Sequence, residues 1–454
     1  MLPQFLVAFN LNYTQESMTT PELTPLLLPR AGVPELITTE SAFELMIQKL
    51  LDGEGPIAID AERASGYKYS QRAYLIQLFR KDGGLHLIDP IAITNKSLWQ
   101  KFNQEFSKYE WVIHASTQDL PCLLELGLDP QILFDTELGA RIAGYPRVGL
   151  GALAESLLEL QLAKEHSAVD WSIRPLKPEW LNYAAIDVDV LLDIRAKVEE
   201  LLLEKKKLSW ANQDFKAILI NFKAKQSDPP KADRWRRTSG MHKVRDRLTM
   251  TIIRNLWIDR DKLAQELDIA AGRILNDEAI IAIATKRPET PEAMAKVIGW
   301  RTKMDSPPFT RWLAELQRSL LTPIEEQVEL RVQSNALPPI KIWKERNPLG
   351  YARLTHARAK IAALSSEIDV PVENLLTPEL VRKLCWELPA SQKGVASGNY
   401  EEYVSQQLQI LGARPWQIDQ VGPLIARALP ETEPLIIEVP ESTSENEPEA
   451  TPAL

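Results

Sequence analysis

The feature that most constrains the fold of this chain is a change of pattern near residue 207. Before it, short apolar strands alternate with segments of helical periodicity, and after it only helical periodicity remains. Strands that alternate with helices form a sheet with helices on both faces. We therefore predict an α/β domain with a mixed sheet, followed by all-α domains. The length of 454 residues suits about three domains in total.

Local patterns place the elements of the α/β part. Apolar residues from Phe43 to Leu51 follow helical spacing, and Thr39 or Ser41 can cap this helix before Gly53 ends it. Residues 82–84 join two strands as a hairpin. The predicted strands lie at 57–59, 74–79, 85–88 and 111–113, with a helix at 96–106 between the last two.

The helical part repeats itself. Asp268-Ile269-Ala270 reappears 101 positions later as Asp369-Val370-Pro371, and the residues after each triplet also correspond. Two copies of one small helical bundle account for this pattern, and the second copy is the more divergent.

Charge is distributed unevenly. The net charge is −9, yet residues 430–454 hold seven Glu and no Lys or Arg, which predicts a disordered acidic tail. Residues 204–247 carry 13 Lys or Arg against five acids, and they include a Pro-Pro break at 229–230. We predict a basic linker at 208–237. The acidic balance of the whole chain therefore does not exclude a nucleic-acid partner.

Several function classes have no support. Residues 1–34 lack a basic n-region and a long apolar run, so we predict a flexible N-terminal extension and neither a signal peptide nor a membrane span. Cys122 and Cys385 cannot form a disulfide framework and suit a reducing cytoplasm. No CxxC, GxGxxG, Walker A or HExxH motif occurs, which argues against thiolate zinc sites, nucleotide-driven motors and zinc proteases.

Four acidic residues have unusual settings. Asp60 and Glu62 end the first buried strand, and their spacing puts both side chains on one face. This pair alone also fits a solvated strand end. Asp119 follows the strand at 111–113 and begins a helix, where an acid also complements the helix dipole. Asp187 lies one turn after Tyr183 on a helix that Pro178 opens, among apolar residues and with no Lys or Arg one turn away.

Together these acids suit divalent cations. Mg²⁺ and Mn²⁺ prefer oxygen ligands, and two ions about 3.5–4 Å apart can act on the attacking and leaving oxygens of a phosphodiester. Tyrosine, with an ordinary pKa near 10, is a poor base at neutral pH. We therefore expect Tyr183 to orient the attacking water by a hydrogen bond.

The combined motifs resemble the three exonuclease motifs of ribonuclease D, in the DEDD superfamily that has tyrosine in its third motif. The resemblance covers residues 36–207, and the segment 170–176 resembles the family's approach to that third motif. It implies an RNase H-like exonuclease domain at 35–207. The motifs are Ile59-Asp60-Ala61-Glu62, Tyr74-Leu75-Ile76-Gln77-Leu78, the run from Val112 to Leu120, and Asn182-Tyr183-Ala184-Ala185-Ile186-Asp187-Val188.

The resemblance also implies roles. Asp60, Glu62, Asp119 and Asp187 would hold two ions of Mg²⁺ or Mn²⁺, with Tyr183 completing the catalytic set. The downstream repeats resemble HRDC domains, which bind nucleic acid; the first spans 238–321 and the second, degenerate copy spans 340–429. Residues 63–69 depart from the family and form a basic, aromatic segment that is a candidate contact for the terminal nucleotides.

Candidate RNA contacts are less specific than the acids. They are Tyr67, Lys68, Gln77, His114, Trp235, Arg236 and Arg237. The last three combine a stacking surface with cations, as single-stranded nucleic acid requires, but they also fit a solvated linker with one anchoring aromatic residue. His114 also fits a hydrogen-bonding role at the end of its strand.

These observations predict a cytoplasmic, metal-dependent 3′–5′ exoribonuclease that releases nucleoside monophosphates. Its partner would be single-stranded RNA 3′ ends, with tRNA precursors implied by the family resemblance, and we expect a monomer with no membrane or obligate protein partner. Two alternatives stay open: a 3′–5′ DNA exonuclease in repair, and a non-catalytic RNA-binding protein.

Overall fold

The computed structural model describes residues 23–163, 168–226, 233–299, 307–330 and 336–435. Residues 1–22, the Pro-Pro break at 229–230 and the tail beyond residue 435 lie outside this description. The strands are β1 Thr24–Leu26, β2 Leu36–Ile37, β3 Glu54–Arg63, β4 Ala73–Lys81, β5 Gly84–Ile88, β6 Glu110–Ile113, β7 Ile132–Asp135 and β8 Leu160–Leu162.

The helices divide into two groups. Those of the α/β part are α1 Glu40–Asp52, α2 Lys96–Phe106, α3 Leu120–Glu125, α4 Thr136–Ala143, α5 Leu150–Leu158, α6 Pro178–Asp189, α7 Leu191–Glu204 and α8 Leu208–Gln226. Those of the helical part are α9 Arg247–Leu267, α10 Ala271–Ile274, α11 Asp277–Lys286, α12 Pro291–Ile298, α13 Pro307–Leu320, α14 Trp343–Arg346, α15 Pro348–Glu367, α16 Val372–Leu375, α17 Pro378–Trp386, α18 Tyr400–Ile410 and α19 Pro415–Ala426.

The main sheet has six strands in the order β2-β5-β4-β3-β6-β7. Strand β4 pairs antiparallel with β3 and β5, while the β2–β5, β3–β6 and β6–β7 pairs are parallel. A buried apolar cluster lies on each face, one including residues of α1 and α2 and the other residues of α4 to α8. This arrangement confirms the predicted mixed α/β sheet. Strands β1 and β8 form a separate parallel pair. Because β1 lies within residues 1–34, the prediction of a flexible extension is wrong for its described part, residues 23–34.

Local sequence explains the first elements well. Thr39 accepts a hydrogen bond from the Ala42 N–H at the start of α1, and Phe43, Met46, Ile47 and Leu50 are its buried residues, as their spacing predicts. The hairpin turns through Asp82 and Gly84, which both have positive φ angles.

The predicted linker at 208–237 begins instead with helix α8, so this boundary is wrong. Ala211, Phe215 and Leu219 recur every fourth residue along α8 and are buried, and the Phe215 ring lies 4.9 Å from that of Phe134 on β7. The basic composition hid this apolar stripe, because helical spacing puts the lysines on other faces of the same helix.

The helical repeat is also visible in the structure. Helices α10 and α16 occupy positions exactly 101 residues apart, and each follows an aspartate with a left-handed backbone, Asp268 or Asp369. The turns at Asp268 and Asp369 each contact the exonuclease domain, but at different places. Asp268 accepts a hydrogen bond from the Ser70 N–H, whereas Lys207 donates to the carbonyl oxygen of Ile368, the residue before Asp369.

Two further contacts fasten the second helical domain to α8. The indole rings of Trp210 and Trp416 stack with centroids 4.9 Å apart, and the buried Asp214 carboxylate accepts hydrogen bonds from Arg414 and from the Trp416 indole. Within the described ranges, no helix combines the length and the apolar character needed to cross a membrane.

Candidate active site

Strand β3 supplies the first two acids. The sequence predicts Asp60 and Glu62 at the end of a strand at 57–59, but the strand continues to Arg63, so both acids lie within it. Pairing with β4 extends the strand, because Asp60 lies opposite Gln77 and Glu62 opposite Leu75. Both carboxylates share one face, as predicted from their spacing.

Helix α6 brings the third acid to the same point. Pro178 opens the helix, and Tyr183 and Asp187 lie one turn apart on the face that packs over β3. One carboxylate oxygen from each of Asp60, Glu62 and Asp187 lies within 4.8 Å of the others. Two segments more than 100 residues apart in sequence thus form one cluster of oxygen ligands.

Asp119 stands beside this cluster. It precedes α3 at the N-cap position, after the strand β6, and it lies close enough to Asp60 that, besides burial, the charge of Asp60 raises the pKa of its carboxyl group. The Nε atom of Arg63 lies 3.8 Å from its Oδ1 atom. The structure therefore places all four predicted acids together, with three of them converging and Asp119 close to Asp60.

The electrostatics show uncompensated negative charge. Burial raises the pKa of Glu62 well above its usual range, and the nearby charges of Asp60, Asp187 and Asp119 raise it further. The pKa of Asp119 is also raised well above its usual range, by burial and then by Asp60. Such a cluster costs free energy unless positive charge is added, so its donor set suits hard divalent cations.

Tyr183 is a hydrogen-bond donor here. Burial, followed by the charges of Asp187, Glu62 and Asp60, raises the pKa of its phenol far above the ordinary value near 10. A phenol that stays protonated cannot accept a proton as a general base, but it can orient a water molecule. The expected role of Tyr183 in orienting the attacking water stays a prediction.

His114 lines the same cleft. Its Nδ1 atom lies 2.9 Å from the Thr136 hydroxyl oxygen, and burial lowers the pKa of its imidazole. The side chain is therefore neutral and held at the end of β6. An RNA contact through the remaining ring nitrogen stays a prediction.

The cleft has a volume of about 730 Å³. Residues of α5, namely Leu150, Gly151 and Glu155, form one of its walls together with Leu162 and Ala163. The sequence analysis did not identify this wall, since nothing in the local pattern of α5 distinguishes a cleft-facing helix from any other amphipathic helix.

Two predicted RNA contacts are wrong. Gln77 has no exposed surface, because β4 is a central strand covered on both faces, and the Trp235 side chain is only 3% exposed. Trp235 packs within its short 3₁₀-helix Arg234–Arg237 and donates to Asp233, so it offers no stacking surface.

The remaining candidates lie outside the catalytic cluster. The guanidinium of Arg273 lies 4.0 Å from the centre of the Tyr67 ring, which places this ring at the contact with the first helical domain. Arg236 is bound to the Glu329 carbonyl oxygen, whereas Arg237 is exposed. Lys68 is partly exposed, and RNA contacts by Lys68, Arg236 and Arg237 stay predictions.

Comparisons with known proteins agree with this geometry. A family model described as 3′-5′ exonuclease matches residues 34–203, and one described as the HRDC domain matches 250–304. A third, described as a 3′ to 5′ exonuclease C-terminal domain, matches 336–429. The ribonuclease D of Gluconacetobacter diazotrophicus is 30% identical over 274 residues, which cover 60% of this chain and 68% of that protein.

This chain belongs to the ribonuclease D family. It is a 3′–5′ exoribonuclease with a helical C-terminal part that includes an HRDC domain. The ribonuclease D of Psychromonas ingrahamii is 26% identical over 80% of this chain and 94% of its own length.

Solved structures show the same architecture. A protein from Bifidobacterium adolescentis is 35% identical, with a TM-score of 0.78 over 90% of this chain and all of that one. The Escherichia coli RNase D structure shares the fold at 23% identity, with a TM-score of 0.58 over 83% of this chain and 98% of that one.

Proposed function

We propose that this ribonuclease D family exoribonuclease depends on two divalent cations, Mg²⁺ or Mn²⁺, and trims the 3′ ends of tRNA precursors or other structured RNA. The observation that carries the metal dependence is the convergence of Asp60, Glu62 and Asp187 oxygens within 4.8 Å. Asp119, which lines the same cleft, completes the set that would hold the cations.

The fit of the cations rests on the donor chemistry. The ligands are carboxylate oxygens, which hard divalent ions prefer, and the acids lining the cleft outnumber its one cationic side chain among the described residues, Arg63. When bound, the cations would supply charge stabilisation for the attacking and leaving oxygens. No sulfur or imidazole ligand is needed.

The side chains of the chain itself have separate tasks. Tyr183 donates a hydrogen bond that orients the attacking water, because its phenol stays protonated. The oxygen of this water forms a bond to phosphorus while the bond from phosphorus to the upstream 3′ oxygen breaks. The water loses a proton, the 3′ oxygen gains one, and a nucleoside 5′-monophosphate leaves.

We propose that RNA is held upstream of its 3′ end by the helical domains and the basic residues around 204–247. These residues include 13 Lys or Arg against five acids. Contacts to phosphates there should make RNA binding weaken as salt concentration rises. We further propose that the protein is a monomer and acts in the cytoplasm. Cys122 and Cys385 are both free and buried, which suits a reducing compartment.

Competition between RNA and DNA tests the substrate class. End-labelled RNA and DNA of one sequence are mixed in equal amounts, and we expect the RNA to shorten faster. Faster trimming of the DNA would contradict the proposal. A tRNA precursor with an extended 3′ trailer then tests the finer claim, since trimming should stop at the mature end rather than continue into the folded body.

The catalytic assignment has its own test. Asp187→Ala removes one of the three converging ligands and should abolish trimming, while the variant keeps its RNA affinity in a filter-binding assay. An Asp187→Ala variant that trims RNA as fast as wild type would show that this cluster is not the active site. It would then favour a non-catalytic or differently located function.

A further inference from the structure

One positive side chain stands in the catalytic cleft. Arg63 is the last residue of β3, one position after Glu62, and its side chain is 23% exposed. Among the described residues that line the cleft it is the single Lys or Arg, against Asp60, Glu62, Asp119, Glu155 and Asp187. Its guanidinium therefore lies in the cleft that the proposed catalytic acids line.

The Arg63 guanidinium forms no hydrogen bond with the part of the chain that the structure describes. Its Nε atom is buried and has no hydrogen-bond partner among the described residues. The nearest carboxylate is that of Asp119, at 3.8 Å, which is beyond hydrogen-bond distance. Five other arginines also have a buried Nε atom without a partner among the described residues, so this atom alone does not indicate a ligand. What distinguishes Arg63 is that it lies in the catalytic cleft and is not hydrogen-bonded to any of the acids there.

Elsewhere in the molecule, an arginine that pairs with a buried carboxylate has a different geometry from Arg63. Arg174 binds Asp89 through two hydrogen bonds of 2.7 and 2.8 Å, in the parallel geometry typical of a strong Arg–carboxylate pair. Arg63 and Asp119 do not form this geometry. The Arg63 guanidinium therefore lies near Asp119 without being held by it, unlike the guanidinium of Arg174.

We propose that Arg63 binds the phosphate of the 3′-terminal linkage of the RNA through its guanidinium. A phosphodiester offers two non-bridging oxygens that match the planar fork of arginine, and its negative charge complements that of the guanidinium. This inference rests on the proposed cleavage of RNA in the same cleft. It adds a substrate-binding residue that acts on the substrate rather than on the cations.

The chain after Arg63 is fixed by the first helical domain. Arg273 donates to the Gly66 carbonyl oxygen, and the Ala270 N–H donates to the Tyr67 carbonyl oxygen. Asp268 accepts from the Ser70 N–H at 2.9 Å. The helical domain thus anchors the segment that follows Arg63, so the guanidinium enters the cleft from a backbone held at both ends.

Two variants of the full-length chain test the proposal, Arg63→Gln and Arg63→Lys. The matched control is Lys81→Gln. Lys81 is exposed at the far end of β4, so the control removes one positive charge from the same sheet but not from the cleft. Steady-state trimming of a short 5′-labelled oligoadenylate in Mg²⁺ is measured at several salt concentrations. Thermal melting confirms that each variant is folded.

We expect Arg63→Gln to lower kcat/KM by about 10- to 100-fold, as the loss of a charge-assisted contact predicts. The slope of log kcat/KM against the logarithm of the salt concentration should become less steep by about 0.7. This is the change expected when one phosphate contact on a single strand is lost. Arg63→Lys keeps the charge without the fork and should lie between Arg63→Gln and wild type. Lys81→Gln should match wild type in both quantities.

A second probe identifies the phosphate. An oligoadenylate with an uncharged methylphosphonate at its 3′-terminal linkage is used as a competitive inhibitor. Its Ki should be the same for wild type and Arg63→Gln, because the charge that Arg63 would bind is missing. A Ki that rises as much as KM would show that Arg63 binds elsewhere and would overturn the proposal.

The counter-ion explanation predicts a different result. If Arg63 only neutralised the acids, Arg63→Gln would lower the Mg²⁺ concentration needed for half-maximal activity and would leave the salt slope unchanged. That result would also overturn the proposal. A wild-type chain that does not trim RNA at all would instead refute the proposed function, so the two failures are distinguishable.

Discussion

The pairing of Arg174 with Asp89 should control how precisely α6 presents Tyr183 and Asp187. The Arg174 guanidinium donates to both Asp89 oxygens, and it also donates to the carbonyl oxygen of Tyr74 at 2.7 Å. It thereby ties the segment leading into α6 to the end of β5 and to β4. Replacing Arg174 with Met removes these bonds and keeps most of the side-chain volume.

The expected cost follows from burial. The Asp89 side chain is 7% exposed, and without Arg174 its carboxylate would retain the Ile91 N–H as a partner among the described residues. Removing one partner of a buried ion pair costs about 3–5 kcal/mol, and the 29% exposure of the Arg174 side chain favours the lower end, about 3 kcal/mol. For a domain of this size that lowers the melting temperature by about 6–12 °C.

Thermal melting and steady-state trimming of RNA measure the two consequences of Arg174→Met. We expect the loss of stability together with a fall in kcat of about 10- to 100-fold, because small displacements of catalytic groups are costly. The control Arg141→Met removes a partly exposed i,i+4 pair with Glu137, worth about 0.5 kcal/mol, and should shift melting by less than about 2 °C. An Arg174→Met variant that melts and trims like wild type would refute this reasoning.

Three further changes test separate parts of the structure. Glu62→Gln removes one of several mutually repelling buried carboxylates, so the melting temperature in EDTA should rise by a few degrees. Trimming of RNA in Mg²⁺ should be lost, and unchanged trimming would contradict the role of Glu62 as a ligand. Gln77→Met replaces a buried amide whose two polar atoms have no hydrogen-bond partner among the described residues. Urea unfolding should therefore show a gain of about 1–2 kcal/mol in the free energy of unfolding rather than a loss. Arg414→Met removes the cation that pairs with the buried Asp214 carboxylate and leaves, among the described residues, only its hydrogen bond from the Trp416 indole. Calorimetry should then show the second helical domain unfolding separately from the exonuclease domain. A single transition at the wild-type temperature would contradict the importance of this contact.

Local sequence patterns predicted much of the fold. Helix α1, with its Thr39 cap and its ending at Gly53, and the hairpin between β4 and β5 depend on neighbouring residues, so their signals are contained in short windows. The same holds for Tyr183 and Asp187, whose shared face follows from helical spacing alone.

Other features depend on tertiary contacts that no window contains. Strand β3 reaches Arg63 because β4 pairs with it, and Gln77 is buried because its strand is central in the sheet. The apolar stripe of α8 is buried because Phe215 packs against Phe134, a residue about 80 positions earlier in the sequence. The contact of Asp268 with the exonuclease domain could not be predicted locally either, since its partner Ser70 lies almost 200 residues earlier in the sequence.

The most direct test of the central claim is the product pattern from one RNA labelled at its 5′ end, with and without chelator. The carboxylate cluster predicts a ladder that shortens from the 3′ end one nucleotide at a time in Mg²⁺, stops in EDTA, and resumes when Mg²⁺ or Mn²⁺ is restored. Trimming that continues in EDTA would contradict the account, as would products that arise from internal cuts.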